Sequence, residues 1–232
     1  MNKVLIADSV SSAVSEVFDK NGIAYDTKIG LSEDELATEI TEYSGLIVRS
    51  AVTVTEKIIN SASNLKVIGR PGVGVDNVDL KAATNNGIVV MNTPLGNVQA
   101  TAELTFGIMH SLMRKISNAN QSMHQKKWEK KKFIGNEMYG KTIGIIGFGN
   151  IGKKVSQIAH AYGMNVLVYS ASISPEDEKK FNVTNQSIDD ILEGADIITF
   201  HNKLSENSKY LINSNAITKM KKNAIIINCA RG

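Results

Sequence analysis

A single cysteine, Cys229, stands among 232 residues, so no internal disulfide can form and the thiol content suits a reducing compartment. No apolar run approaches the roughly 18 residues of a membrane-spanning helix, and Val4-Leu5-Ile6-Ala7 before Asp8 is too short for a signal peptide. A cytoplasmic protein without a membrane partner is expected. Tryptophan occurs once and the net charge is only +3, too little aromatic surface and charge for a nucleic-acid face, though a mild positive balance suits a small anion. No metal site is expected. Arginine is scarce: of 26 basic side chains only Arg49, Arg70, Arg114 and Arg231 are arginine. Three of these follow predicted strands, where a planar bidentate fork matches phosphate or carboxylate better than lysine does.

What is plentiful is alternation. Short β-branched runs at Val4–Ala7, Tyr25–Lys28, Gly45–Val48, Leu65–Gly69 and Ile88–Met91 read as strands, with helical patterns between them. One helix opens on a capping box, Ser32-Glu33-Asp34-Glu35; another follows Asp79 and stops at Gly87. A long apolar helix pattern spans Val98–Met113, then a lysine-rich segment surrounds Trp128. A second series begins at Thr142–Ile146 and continues with strands Asn165–Tyr169, Ile197–Phe200 and Ala224–Asn228. Strand and helix in strict alternation predict an α/β protein of two doubly wound parallel-sheet domains, a flavodoxin-like one over residues 1–95 and a Rossmann one over 96–232. The second series stops directly after a strand, so that domain is expected to be incomplete, with an uncovered edge and exposed apolar surface.

Between the strand Thr142–Ile146 and the helix after it lies Gly147-Phe148-Gly149-Asn150-Ile151-Gly152. In this position the glycines permit a tight turn and close approach of a pyrophosphate, and the helix start offers amides to the anion. The loop predicts a bound dinucleotide. About 20 residues on, an acidic residue gripping the ribose hydroxyls is expected; Ser170 stands there instead. NAD is the expected cofactor, with NADP left open because no carboxylate repels a 2′-phosphate.

The runs Gly45-Leu46-Ile47-Val48-Arg49-Ser50, Gly69 through Asp79 and Asn92-Thr93-Pro94, with Lys127-Trp128-Glu129-Lys130, the glycine loop and Asn228-Cys229-Ala230-Arg231-Gly232, together resemble the D-2-hydroxyacid dehydrogenase family over the whole chain. The resemblance implies hydride transfer from a D-2-hydroxyacid to the nicotinamide of NAD, in a cleft between substrate and nucleotide domains. It makes Arg231 the catalytic arginine, also in contact with cofactor, and gives the substrate carboxylate to the amides of Gly72, Val73 and Gly74. Arg49, Ser50 and Asn97 join the substrate side, Arg49 as the candidate for a substrate phosphate. Gly147, Gly149, Asn150, Ile151, Gly152, Ser170, Asn202 and Cys229 fall on the cofactor side. The implied substrate is a small phosphorylated 2-hydroxyacid, and the implied assembly a homodimer or higher homo-oligomer through the nucleotide domain. Lys130 and Lys132 are candidates to lend charge to a neighbouring active site, against the alternative of a solvated lysine face. His201-Asn202-Lys203 departs from the family's His-Thr-Pro at two positions, and His201 reads as a satisfied strand-end histidine rather than a base.

In the family the histidine acting as general acid/base, and the glutamate orienting it, follow the arginine motif. The chain ends one residue past Arg231, so it is expected to be the front part of a longer enzyme and inactive by itself. Two alternatives stay open: another D-2-hydroxyacid dehydrogenase or glyoxylate reductase, and a non-catalytic nucleotide-binding or dimerisation module.

Overall fold

The computed structural model describes residues 3–206 and 208–230. The chain divides into two compact units, Met1–Asn97 and Val98–Gly232.

The first unit runs β1 (Lys3–Ile6), α1 (Ser12–Lys20), β2 (Ala24–Thr27), α2 (Glu33–Glu39), β3 (Gly45–Ile47), α3 (Glu56–Ser61), β4 (Val67–Arg70), α4 (Leu80–Asn85) and β5 (Val89–Asn92). Its five strands are parallel in the order β2-β1-β3-β4-β5. Right-handed crossovers then put α1 on one face and α2, α3 and α4 on the other. The core forms on that second face, where Leu5, Leu46 and Ile68 meet Leu36, Ile40, Ile58 and Ile59. Ile68, in the middle of the sheet, is fully enclosed; truncating such a side chain to alanine costs about 2–5 kcal/mol. Local signals agree with this packing. The Ser32–Glu35 capping box is formed, Asp79 caps α4 by accepting from the Ala82 amide, and Gly87 at φ +68° turns the chain out of α4 just past its Asn86 cap. The strand expected from Leu65 starts at Val67, because the Leu65 amide closes a turn onto the Ala62 carbonyl.

The second unit begins with α5 (Val98–Met113), α6 (Ile116–His124) and a 3-10 turn, Lys130–Phe133. It continues as β6 (Thr142–Ile146), α7 (Asn150–Ala161), β7 (Asn165–Tyr169), α8 (Pro175–Phe181), β8 (Thr184–Asn185), α9 (Ile188–Gly194), β9 (Ile197–Phe200), α10 (Ser214–Lys219) and β10 (Ile225–Asn228). The parallel order is β10-β9-β6-β7-β8, five strands of the six-strand doubly wound pattern that binds dinucleotides. Ile143 and Ile145 point to the layer of α5 and α7, where Phe106, Met109, Val155 and Ala159 lie buried. Ile146 and Ile198 pack on the opposite face with Ile191 and Leu192 of α9 and Ala216 of α10. The uncovered last strand expected from the sequence is only half uncovered. On β10, Ile227 is buried and joins the α5 layer, whereas Ile226 is 42% exposed. Among the described residues no helix is long and apolar enough to cross a membrane.

Candidate active-site loops

In a doubly wound sheet, ligands settle outside the carboxyl ends of the strands, where the strand order reverses and neighbouring loops diverge. Both units place candidate residues there.

In the second unit the reversal falls between β6 and β9, and the loops after these strands are Gly147–Gly149 and His201–Asn202. They meet closely. Gly147 has φ +97°, and a Cβ there would stand 2.4 Å from the Asn202 backbone nitrogen and 2.6 Å from the His201 carbonyl carbon. A Cβ at Gly152 would stand 2.2 Å from the Gly147 carbonyl oxygen. These two glycines are therefore demanded by the chain's own packing. Gly149 is different: a Cβ there meets nothing within 4 Å, and the residue is exposed. It caps α7 without any side-chain hydrogen bond. The amides of Gly149, Asn150, Ile151 and Gly152 have no acceptor among the described residues. Free donors beside open space at Gly149, at the positive end of a twelve-residue helix, fit the pyrophosphate of a dinucleotide.

At the end of β7, the Asn185 side chain clamps the Ser170 backbone, its Oδ1 accepting from the Ser170 amide at 3.0 Å and its Nδ2 donating to the Ser170 carbonyl at 3.2 Å. The Ser170 hydroxyl accepts weakly from the Ser172 amide at 3.4 Å. The nearby Asp177 carboxylate is held by Lys153 at 2.8 Å. Burial pushes the His201 imidazole down to about 4; its Nε2 lies 3.0 Å from Thr199 Oγ1, on a threonine with no exposure. A satisfied strand-end histidine is what the sequence suggested, and the Thr199 contact supplies its partner. Asn202 turns its amide to the Lys203 carbonyl, and Cys229 is half-buried just past β10, packed against the α5 layer. Arg231 and Gly232 lie outside the described residues.

In the first unit the reversal falls between β1 and β3. Asp8, 6% exposed, follows β1, and its carboxylate accepts from the amides of Ser9 at 2.7 Å, Arg49 at 2.9 Å and Ala51 at 3.0 Å. This one buried acid shapes the loop carrying Arg49 and Ser50, both exposed. Asn77 braces the same loop, its Nδ2 donating to the Arg49 and Val52 carbonyls at 2.5 and 2.6 Å. The next loop, after β4, holds Gly72, Val73 and Gly74. Its carbonyls are occupied: Thr93 N donates to Gly72 O at 2.9 Å and Asn92 Nδ2 to Val73 O at 2.6 Å. No backbone carbonyl among the described residues accepts from the amides of Gly72, Val73 and Gly74, and a glycine-rich turn of this kind suits an anion. Asn97 is exposed at the end of this unit. Sequence reasoning missed Asp8, Asn77 and Asn92 as supports; the usable signal was an acid directly after the first strand.

The lysine segment is largely solvated. Lys130 is exposed, Lys132 pairs with Glu129 at 2.6 Å, and Trp128 is 79% exposed. The remaining histidines are engaged locally or surface-placed: His110 Nε2 lies 2.8 Å from Tyr162 Oη and His160 Nε2 3.0 Å from the Phe181 carbonyl, while His124 is exposed. No group of three or more His, Cys, Asp or Glu side chains able to hold a metal occurs among the described residues.

The sequence and the fold both have counterparts among known proteins. Residues 106–232 match the NAD binding domain of the D-isomer specific 2-hydroxyacid dehydrogenases, and the chain belongs to that family. Within it, the chain is 44% identical over all 232 residues to human D-3-phosphoglycerate dehydrogenase, and 42% over 234 aligned positions to the enzyme of that name from Bacillus subtilis. It spans about 44% of the length of each. Among solved structures, the TT0316 protein of Thermus thermophilus superposes with a TM-score of 0.89 at 29% identity, covering 99% of this chain and 74% of that one. An NAD-complexed D-isomer specific 2-hydroxyacid dehydrogenase from Lactobacillus delbrueckii superposes with a TM-score of 0.81 at 28% identity, covering 100% and 72%.

Proposed function

We propose that the protein containing this chain oxidises D-3-phosphoglycerate to 3-phosphohydroxypyruvate, an oxidation that feeds serine biosynthesis. The observation that carries the reading is the open space at Gly149, with free amides from Gly149 to Gly152. The names of the relatives matched along the whole chain support the choice of substrate.

When bound, NAD takes the hydride from C2 of the hydroxyacid. The chain's own part is positioning. The α7 amino terminus would hold the pyrophosphate, and Ser170, its backbone clamped by Asn185, would stand at the strand end that reads the adenosine ribose. The Gly72–Gly74 amides receive the substrate carboxylate, and Arg49 with Ser50 the phosphate. Arg231, by resemblance, steadies the carboxylate and the C2 oxygen as its proton leaves. The proton acceptor, by resemblance, is a histidine that follows the arginine motif; His110, His160 and His201 are each turned to a local partner. Assembly as a homodimer through the second unit is part of the proposal, supported by exposed Leu112, Ile116, Trp128 and Ile134 on adjoining segments.

The test is a spectrophotometric assay of the full gene product, following NADH formation with D-3-phosphoglycerate, D-lactate and D-glycerate, beside NAD binding to the present chain. Turnover selective for D-3-phosphoglycerate is expected. Equal or better turnover of D-lactate would move the assignment to another member of the family, and NAD binding without any turnover would leave a nucleotide-binding module.

A further inference from the structure

The end of β7 carries no acid of its own, since Ser170 stands where one is expected, yet a carboxylate is tied to it from a neighbouring element. β8, only Thr184–Asn185, lies parallel to β7 at the sheet edge and brings Asn185 beside the carboxyl end of that strand. There the Asn185 side chain holds both backbone groups of Ser170, at 3.0 and 3.2 Å, while the Asn185 amide donates to Glu178 Oε1 at 2.6 Å. Glu178 belongs to the first turn of α8, where the helix dipole favours negative charge. It is half-buried and makes no ion pair among the described residues, whereas Asp177 beside it is paired with Lys153 at 2.8 Å. Two hydrogen-bonded links thus fasten an unpaired carboxylate to the strand end where the ribose is read.

We propose that Glu178 is a specificity-determining residue for the cofactor: held by Asn185 at the end of β7, it takes the part of the missing strand-end acid and selects NAD against NADP. A phosphate on the ribose 2′ oxygen brings about −1.5 to −2 charges near neutral pH, and a fixed carboxylate close by repels it. The hydroxyl of NAD is neutral and escapes that repulsion. At partly exposed positions the difference amounts to about tenfold in affinity. The two duties of the usual acid are then divided, Ser170 and Asn185 positioning the ribose and Glu178 excluding the phosphate. The proposal rests on the ribose lying at Ser170 and is independent of which hydroxyacid is oxidised.

The experiment is a calorimetric titration of the full gene product with NAD and with NADP, at about 0.05 M and about 1 M salt. Glu178→Gln keeps an oxygen for the Asn185 amide and loses only the charge. At low salt it should bind NADP about tenfold more tightly than the parent does and NAD within about twofold, and the gain should shrink to about twofold or less at high salt. Glu176→Gln, at an exposed acid of the same turn, should move NADP affinity by less than about threefold. In the parent the preference for NAD should narrow as salt rises, a readout that needs no variant. A parent that binds NADP as tightly as NAD, or whose preference is indifferent to salt, would overturn the proposal; so would an equal gain from Glu176→Gln. If Ser170→Asp shifts the ratio of the two affinities and Glu178→Gln does not, the ribose lies where the reading puts it and Glu178 has no part. If neither shifts it, the placement of the ribose falls as well.

Discussion

Gly147 and Gly149, which flank Phe148 in the nucleotide loop, should respond to the same added methyl group in opposite ways. At Gly149 the backbone sits at φ −77°, ψ −163°, open to any residue, and the methyl meets nothing within 4 Å. Reduced unfolded-state freedom favours alanine by about 0.4–1 kcal/mol, and the poorer helix cap costs about as much. The net change in stability should be near zero. The methyl would nonetheless stand over the free amides of the first turn of α7, so NAD affinity should fall by about ten- to a hundredfold, or about 1.4–2.8 kcal/mol. At Gly147 the methyl forces a left-handed backbone on an alanine, costing about 1–2 kcal/mol. It also collides with the Asn202 and His201 backbone, which no rotamer change relieves, for about 1–3 kcal/mol more. The sum, about 2–5 kcal/mol, corresponds to a melting temperature lowered by about 10 °C. Calorimetric melts and NADH fluorescence titrations of Gly149→Ala and Gly147→Ala decide the matter. A Gly149→Ala chain that melts early, or one that binds NAD as well as the parent, would refute the reasoning that assigns one glycine to the fold and the other to the ligand.

Other perturbations test the supports. His201 is neutral in the folded chain down to about pH 4 but takes up a proton near pH 6.5 when unfolded. The stability tied to its burial is present above 6.5 and is withdrawn as the pH falls through that window, by up to about 3 kcal/mol; His201→Gln should flatten the melting profile between pH 6.5 and 4. Asn77→Ala removes two bonds to the Arg49 and Val52 carbonyls. It should cost the first unit about 1–3 kcal/mol and speed hydrogen exchange at residues 49–52. Ser170→Asp should raise the preference for NAD over NADP by about tenfold or more, measured as the ratio of the two dissociation constants; an unmoved ratio would show that this strand end does not read the ribose.

Where the chain's own period carries the signal, the fold was legible. Thr142–Ile146, Asn165–Tyr169 and Ile197–Phe200 are strands with the expected bounds, because each is an apolar run closed at both ends by turn residues. β8 was not foreseen: Thr184–Asn185 has no apolar run and exists only by pairing with Leu167 and Val168. α6 went unread because polar residues dilute its apolar period. The glycine loop and the Gly72–Gly74 turn were visible as motifs. Their supports were not, since Asp8 and Asn77 act across long sequence separations that only the strand order brings together.

The contact between Gly147 and the backbone after β9 also sets an order of events. The glycine loop is wedged by residues that the chain supplies only after β7, α8, β8 and α9 have been laid down. A helix start alone, or the β6-α7-β7 unit alone, therefore has no wall against which to hold that left-handed turn. Competence to grip a nucleotide is a late acquisition in the assembly of this unit, arriving when β9 docks beside β6. A nascent chain paused before that strand would have its phosphate loop in sequence and not yet in shape.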